Sequence, residues 1–287
     1  MSQVTRQRRT AVWMLAPSLL VFGVFFLVPV LAVAWLSLLR WDLLGAPRFV
    51  GLSNYRELLG GSELWPVLGR TLVYSAGTVT GAIALGLALA LALHRRARVG
   101  RVLRAAIFSS YVVSWVGVSL LWTYLLDGQI GPITAALEAL GLPAPDWLGD
   151  PRTALGALVV VSIWKVVGYD MVVYLAALED IPREVLEAAR LDGAGAWARL
   201  STIVWPMVAP TTRFLVVTGL LMTFQGFDVV RVMTSGGPAS ATQIFVHWVY
   251  EQAFTYFRMG PAAAAVVLVL IPLSALPALL GGGRRRQ

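Results

Sequence analysis

The segment EVLEAARLDGAGAWARLSTIVWPMVAP, Glu184–Pro210, is polar and carries both signs of charge, whereas the sequence on either side of it is long and apolar. Its first part is rich in residues that favour helices. The DGAG sequence at Asp192–Gly195 then favours a turn, because Asp-Gly pairs and glycine readily adopt turn conformations. A second helical pattern follows and meets Pro206 and Pro210. The segment therefore predicts a helix–turn–helix, which is longer than a passive connection needs to be.

Two interpretations of this polar insert remain open at this point. A helix with one apolar face can rest on a membrane surface, or it can dock into a groove of another protein. The apolar face is formed by Val185, Leu186, Ala189, Leu191, Trp197 and Leu200, and Glu184 and Glu187 add negative charge.

The composition indicates that lipid surrounds most of the protein. Of the 287 residues, 58% are hydrophobic and 13% are charged, which is about half of the charged share of a soluble domain. The net charge is +8, and Lys165 is the only lysine. Arginine-rich cytoplasmic loops explain this charge better than binding to nucleic acid. The absence of cysteine excludes disulfides, thiolate metal sites and cysteine nucleophiles.

Six apolar segments are long enough to cross a bilayer, which takes about 20 residues per helix. The first is too long for the core of a signal peptide, so we expect it to be retained. The predicted spans are 11–39, 66–93, 102–126, 153–178, 211–231 and 260–280. The predicted organisation is an N-terminus at 1–10, a first transmembrane helix at 11–39, an outer loop at 40–65, a core of five spans at 66–280 with the polar insert at 179–210, and a basic tail at 281–287.

The arginines are divided unequally between the two sides of this predicted membrane protein. The side that holds both termini and the polar insert carries 14 of them, and the loops of the other side carry 6. Because positive charge concentrates in cytoplasmic loops, both termini and the polar insert are predicted to be cytoplasmic. On the outer side, residues 130–141 predict a short helix at the membrane interface.

No catalytic or metal-binding constellation is recognisable in the sequence. His94 and His247 fall on opposite sides of the predicted membrane and cannot act together. The sequence has no zinc-protease motif, no nucleophile elbow and no G-x-x-x-x-G-K-[ST] phosphate loop, so it cannot bind ATP through such a loop. We therefore predict that the chain is not an enzyme and has no catalytic residues and no metal ligands. The G-x-x-x-G pattern at Gly77 and Gly81 predicts close helix packing.

Polar and aromatic groups lie inside two of the predicted spans, where each ionisable group is costly. One interpretation is polar pairing between helices, for example of Lys165 with Asp228. The other is the lining of a path for a polar solute, in which hydroxyls would be hydrogen-bonded and sugar rings stacked on aromatic faces. The groups concerned are Trp164, Lys165, Tyr169 and Asp170 in the fourth span and Phe224, Gln225, Phe227 and Asp228 in the fifth.

The polar insert resembles the EAA motif of permeases from ATP-binding-cassette (ABC) importers, E-A-A-x-x-x-G followed by I-x-L-P. The matching residues are Glu187, Ala188, Ala189, Gly193, Ile203 and Pro206, whereas Trp205 stands where leucine is usual. Three further blocks, at 49–59, 164–182 and 224–238, are similar to the carbohydrate-uptake subgroup, in particular to its first permease subunit, which is related to the maltose and glycerol-3-phosphate permeases. The resemblance covers nearly the whole chain.

This resemblance implies an all-α membrane protein with six transmembrane helices and the type I ABC-importer (MetI-like) permease fold, in which a cytoplasmic coupling helix lies between helices 4 and 5. It implies a multi-pass protein of a bacterial or archaeal cytoplasmic (inner) membrane that imports a sugar or sugar-like solute by ATP-driven alternating access. The implied partners are a second homologous permease, two cytoplasmic ATPase subunits, an extracytoplasmic solute-binding protein and membrane lipid. ATP and magnesium would be bound by the ATPases, with no cofactor on this chain.

The resemblance also implies two sets of functional residues. The residues expected to dock the ATPase are Glu187, Ala188, Ala189, Asp192, Gly193 and Ala194. The candidates for the solute path are Trp164, Tyr169, Phe224, Gln225 and Asp228. Two alternatives remain: the same machinery importing a glycerophosphodiester, polyol or other small polar solute, and an ion-coupled secondary transporter that works alone.

Overall fold

The computed structural model describes residues 3–94 and 98–281. The described chain is mostly helical, with a small antiparallel sheet of strands β1 (Leu39–Arg40) and β2 (Arg48–Phe49). In chain order the helices are α1 (Gln3–Phe22), α2 (Val28–Leu36), α3 (Ser53–Gly60), α4 (Leu64–Leu93), α5 (Arg98–Val112), α6 (Trp115–Leu125), α7 (Pro132–Ala139), α8 (Ala154–Glu179), α9 (Arg183–Leu191), α10 (Ala196–Arg199), α11 (Trp205–Thr223), α12 (Phe227–Met233), α13 (Phe245–Tyr250) and α14 (Met259–Gly281).

Within residues 3–94 and 98–281, four continuous helical stretches are long and apolar enough to cross a membrane. A fifth is added if the bent pair α5 and α6 is counted as one span, and α14 contributes a shorter apolar stretch, Met259–Ala275. These elements follow the order of the six predicted spans, and the number six itself remains a prediction. The four continuous stretches are Val12–Leu36, Leu64–Leu93, Ala154–Glu179 and Ala196–Thr223.

Two of the predicted spans are not single helices. The predicted span 102–126 is formed by α5 and α6, which meet at a bend of 101°. The predicted span 211–231 is interrupted between α11 and α12, and its helix begins earlier, so that the second half of the helix–turn–helix runs directly into it. Pro206 has no backbone N–H group to donate a hydrogen bond, yet it does not end this helix. The reason is that a π-helical turn at Leu200–Val204 precedes it.

The chain divides into two compact units, the first formed by residues up to Leu64 together with Val249–Pro272. Within this unit the buried Asn54 side chain donates to the carbonyls of Ser37 and Leu39, each at 2.8 Å, and so holds α3 against the end of α2 and the start of β1. Gly260 lies where a Cβ atom would be 2.0 Å from the Leu39 carbonyl oxygen. An Arg258–Glu57 ion pair adds a contact between exposed side chains.

The second unit contains Trp65–Trp248 and carries the main apolar core. One cluster joins α4, α8 and α11 through buried side chains such as Met171, Val208 and Leu215, and a second joins α4, α6, α8 and α12. Close approach of α4 to α8 depends on glycine: a Cβ on Gly77 would meet Val159 at 3.1 Å, and one on Gly81 would meet Ile163 at 2.3 Å. The predicted role of this G-x-x-x-G pattern in helix packing is confirmed.

Candidate functional site

A cavity of about 520 Å³ lies among α4, α8, α11, α12 and the junction of α5 with α6. This volume falls in the range of small-molecule sites, about 300–1,000 Å³. The wall combines aromatic rings, hydroxyl groups and three charged side chains. Its polar and aromatic members are Tyr74, Thr78, Tyr111, Ser114, Trp115, Ser162, Lys165, Tyr169, Asp170, Thr218, Thr223, Gln225 and Asp228.

The bend between α5 and α6 brings backbone and aromatic groups to this wall. Ser114 ends the break by capping α6, since its hydroxyl oxygen accepts the backbone N–H of Gly117 at 3.1 Å. On the other side of the break, the Ser110 hydroxyl of α5 lies within hydrogen-bond distance of the Ile107 carbonyl in its own helix, at 2.9 Å, and of the Trp164 carbonyl of α8, at 3.1 Å. The bend thus places Tyr111 and Trp115 at the cavity instead of leaving them on a straight span.

Lys165 of α8 occupies the centre of this arrangement. Its ammonium donates to the Tyr111 carbonyl, which is one of the last carbonyls of α5 and has no partner further along that helix. The ammonium also lies 5.0 Å from the centre of the Tyr111 ring and 5.4 Å from that of Trp115, within cation–π range. No ion pair joins Lys165 to Asp228 in the described ranges, so the pairing that the sequence left open is absent.

A second helix break, between α11 and α12, contributes another part of the wall. α11 ends at Thr223, and the chain turns at Gly226, where the Phe227 N–H bonds to the Gln225 carbonyl at 2.7 Å before α12 begins. The side chains of Gln225 and Asp228 are both exposed and both line the cavity. The site around Gly226 is tightly packed, since a Cβ there would lie 3.1 Å from the Tyr74 hydroxyl oxygen.

The structure brings three of the five candidate path residues to the cavity: Tyr169, Gln225 and Asp228. Trp164 and Phe224 do not line it. Trp164 precedes Lys165 by one residue and so points about 100° away around α8. Its ring packs edge-on against Trp122 at 5.6 Å. In the structure Trp164 thus has a packing contact with Trp122, and its solute contact stays a prediction.

Sequence reasoning did not place Tyr74, Tyr111, Trp115 or Ser162 at the site. Tyr74 is buried and its hydroxyl exchanges a hydrogen bond with that of Ser162 at 2.8 Å, which ties α4 to α8 beside the cavity. A signal for these residues exists in the sequence, because Tyr111 and Trp115 are four positions apart and would share a helix face. Their meeting with Lys165 depends on the bend, which that signal does not contain.

The polar insert forms the predicted helix–turn–helix, and its turn has a defined hydrogen-bond pattern. α9 ends in a Schellman motif, in which the Ala194 N–H bonds to the Ala189 carbonyl at 2.9 Å and the Gly193 N–H to the Arg190 carbonyl at 3.1 Å. Gly193 has a φ of +77°, which favours glycine at this position. α9 therefore ends at the turn that Gly193 forms, directly after the helical segment that contains Ala188 and Ala189.

The surface around this turn is exposed and partly apolar. Glu187, Ala188, Asp192 and Gly193 are exposed, and Ala189 and Ala194 are partly buried. Leu191 and Trp197, which flank the turn, are 89% and 77% exposed. Two large apolar side chains at one exposed turn are unusual on a solvated surface and mark a place where another molecule can bind.

Apolar helices that enclose a wall of charged, polar and aromatic side chains define a multi-pass membrane protein with a polar site in its helical bundle, as in membrane transporters. Residues 82–282 match the family model described as "Binding-protein-dependent transport system inner membrane component". The match spans more than half of the chain, so the protein belongs to this family and is a permease component. The resemblance noted from the EAA motif is confirmed.

Relatives and solved structures agree with this assignment. The chain is 32% identical over 267 residues to the sn-glycerol-3-phosphate transport system permease protein UgpA of Agrobacterium fabrum, covering 92% of this chain and 91% of that protein. It is 31% identical over 288 residues to the trehalose/maltose transport system permease protein MalF of Thermococcus litoralis, covering 98% and 96%. A chain of a bacterial alginate ABC transporter, solved with a periplasmic protein that binds an alginate pentasaccharide, has the same fold, with a TM-score of 0.85 at 21% identity over 98% of this chain and 96% of that chain.

Proposed function

We propose that this permease imports a neutral sugar or sugar-like solute by ATP-driven alternating access, with the cavity as the solute site. The observation that carries the proposal is the wall of the cavity. Aromatic faces at Tyr111, Trp115 and Tyr169 suit a sugar ring, and the charged groups supply both donors and acceptors for hydroxyls. Two carboxylates against one ammonium favour a neutral solute over an anionic one.

The other components of the transporter are proposed to be separate chains. A second homologous permease would complete the membrane assembly, an extracytoplasmic binding protein would deliver the solute, and two ATPases would bind ATP and magnesium. The exposed turn that follows α9 would be the cytoplasmic coupling element, with Glu187, Ala188, Ala189, Asp192, Gly193 and Ala194 against an ATPase. Six spans with both termini in the cytoplasm belong to the same proposal.

A phosphorylated solute is the second candidate. The similarity to a glycerol-3-phosphate permease favours it, and the Lys165 ammonium would be its counter-charge. The carboxylates of Asp170 and Asp228 line the same wall and would repel the negative charge of a phosphate. An ion-coupled transporter acting alone is the least favoured reading, because it leaves the exposed Leu191 and Trp197 without a partner.

The proposal is tested by uptake into liposomes that contain the assembled transporter: both permeases, the ATPases and the binding protein. Radiolabelled maltose, trehalose and sn-glycerol-3-phosphate are the solutes to compare. We expect ATP-dependent uptake of a neutral sugar. Uptake of sn-glycerol-3-phosphate alone would favour the second candidate, and uptake by the permease without any ATPase would contradict the whole scheme.

Replacement of the two polar residues at the α11–α12 break should impair this uptake. Asp228→Ala removes a charged acceptor and should lower uptake about tenfold, whereas Gln225→Ala removes a neutral partner and should lower it a few-fold. ATPase association should be unchanged in both variants. Gln129→Ala, the same substitution on an exposed loop, is the matched control for Gln225→Ala. Wild-type uptake in both cavity variants would remove these residues from the site.

A further inference from the structure

Lys165 is the single lysine of a chain that has 22 arginines among its 23 basic residues. It lies near the middle of α8 and is 3% exposed. A cation within a membrane span is costly and is retained where it has a specific task. Lysine differs from arginine at such a position, because its compact ammonium sits on a flexible stem and carries three donors that can turn toward a ligand.

The contacts of Lys165 hold its ammonium without neutralising it. One N–H group is used by the Tyr111 carbonyl at 2.5 Å, and the rings of Tyr111 and Trp115 lie beside it. In the described ranges no carboxylate comes within ion-pair distance of its Nζ atom. Since an ammonium has three N–H groups, two remain without a protein acceptor in the described part of the chain, at the wall of the cavity that Lys165 lines.

Acceptors and a stacking surface lie on the same cavity wall. Asp170 and Asp228 can only accept hydrogen bonds when ionised, and the rings of Tyr111 and Tyr169 stack at 5.0 Å between their centres. A sugar ring presents adjacent hydroxyls, each of which can accept from an ammonium and donate to a carboxylate. The wall offers both halves of that pattern beside an aromatic face.

We infer that Lys165 is a solute-binding residue that donates to a hydroxyl oxygen of a neutral sugar resting against Tyr111 and Trp115. The inference rests on the proposed function, because it requires the cavity to be the solute site. The same ammonium caps the end of α5 at the bend. The Lys165 ammonium would therefore donate both to the bound hydroxyl and to the end of α5, which connects solute binding with the position of that helix.

The single lysine allows a direct test by chemical labelling. The assembled transporter is acetylated with the N-hydroxysuccinimide ester of acetic acid, and modification of Lys165 is followed by mass spectrometry with and without maltose, trehalose or sn-glycerol-3-phosphate. At sugar concentrations about nine times the dissociation constant, we expect about tenfold slower labelling with a neutral sugar, because free sites fall as one over one plus that ratio. A lysine that only caps α5 would be labelled at the same rate in every sample.

Lys165→Met supplies the second measurement. It should lower uptake of the neutral sugar about tenfold, as expected for loss of a charged hydrogen bond. Val172→Met is the matched control, because Val172 lies on the same helix, is exposed and does not line the cavity. If Lys165→Met does not assemble, the labelling of the wild-type protein decides the question.

The outcomes separate the inference from the function on which it rests. Uptake of a neutral sugar together with unprotected Lys165 would overturn the inference and leave the proposed function intact. Stronger protection by sn-glycerol-3-phosphate than by either sugar would overturn the assignment to a neutral solute. Absence of uptake of all three solutes by the wild-type transporter would reject the proposed function itself.

Discussion

Glu187→Lys is expected to abolish coupled transport by preventing the ATPase subunits from associating with this chain. Glu187 is exposed on α9, two turns of chain before the Schellman motif at Gly193 that ends the helix. By the resemblance of its motif, its carboxylate would meet a basic residue of the ATPase. Charge reversal replaces that attraction with repulsion, so recovery of the ATPase with the permease should fall by about tenfold or more. Co-purification and solute-stimulated ATP turnover measure this directly.

The folded permease should not be affected by this substitution. The Glu187 side chain makes no hydrogen bond or ion pair within the described ranges. The thermal stability of the Glu187→Lys variant should therefore match that of the wild-type permease. Glu138→Lys, a charge reversal on the exposed face of another short helix, is the matched control and should leave association intact. A Glu187→Lys complex with a full complement of ATPase would contradict the docking role of α9.

The turn after α9 could be predicted from the sequence because its determinants are local. Helix-forming residues, then Asp192 and Gly193, specify a helix end within one turn of chain, and the structure realises it through two backbone hydrogen bonds. The apolar face that includes Leu191 and Trp197 could also be predicted, but the extent of its exposure could not. Sequence periodicity does not say whether another part of the same chain covers such a face.

The bend between α5 and α6 could not be predicted, because its causes are tertiary. Residues 102–126 are apolar, and neither glycine nor proline occurs at the bend, so composition favours one straight span. The bend is stabilised by the Lys165 ammonium on the Tyr111 carbonyl and by Ser110 on α8. The cavity follows from these contacts. Sequence reasoning found Gln225 and Asp228 as polar residues in a span, and it missed Tyr111 and Trp115, which reach the wall only through the bend.

Gly168→Ala is expected to have the largest effect on stability, since α5 lies directly on this position. A Cβ on Gly168 would be 2.5 Å from the Ile107 carbonyl oxygen and 2.8 Å from the Phe108 Cα atom, both of them backbone atoms of α5. Backbone cannot rotate away as the Ile163 side chain can at Gly81, so α5 must shift. Overpacking of this kind costs about 1–3 kcal/mol, and occasionally more.

The shift should also reduce transport, because the interface that it opens carries the contacts of the cavity wall. Tyr111 follows Ile107 by one helical turn, and its carbonyl must stay within reach of Lys165 for the bend to be held. Gly156→Ala is the matched control in the same helix: a Cβ there meets nothing within 4 Å. Since alanine favours a helix over glycine by about 0.5–1 kcal/mol, that control should be neutral or stabilising. Opposite changes in the apparent melting temperature of the two variants, with uptake lost only in Gly168→Ala, are the expected result; equal melting temperatures would show that α5 does not pack on Gly168.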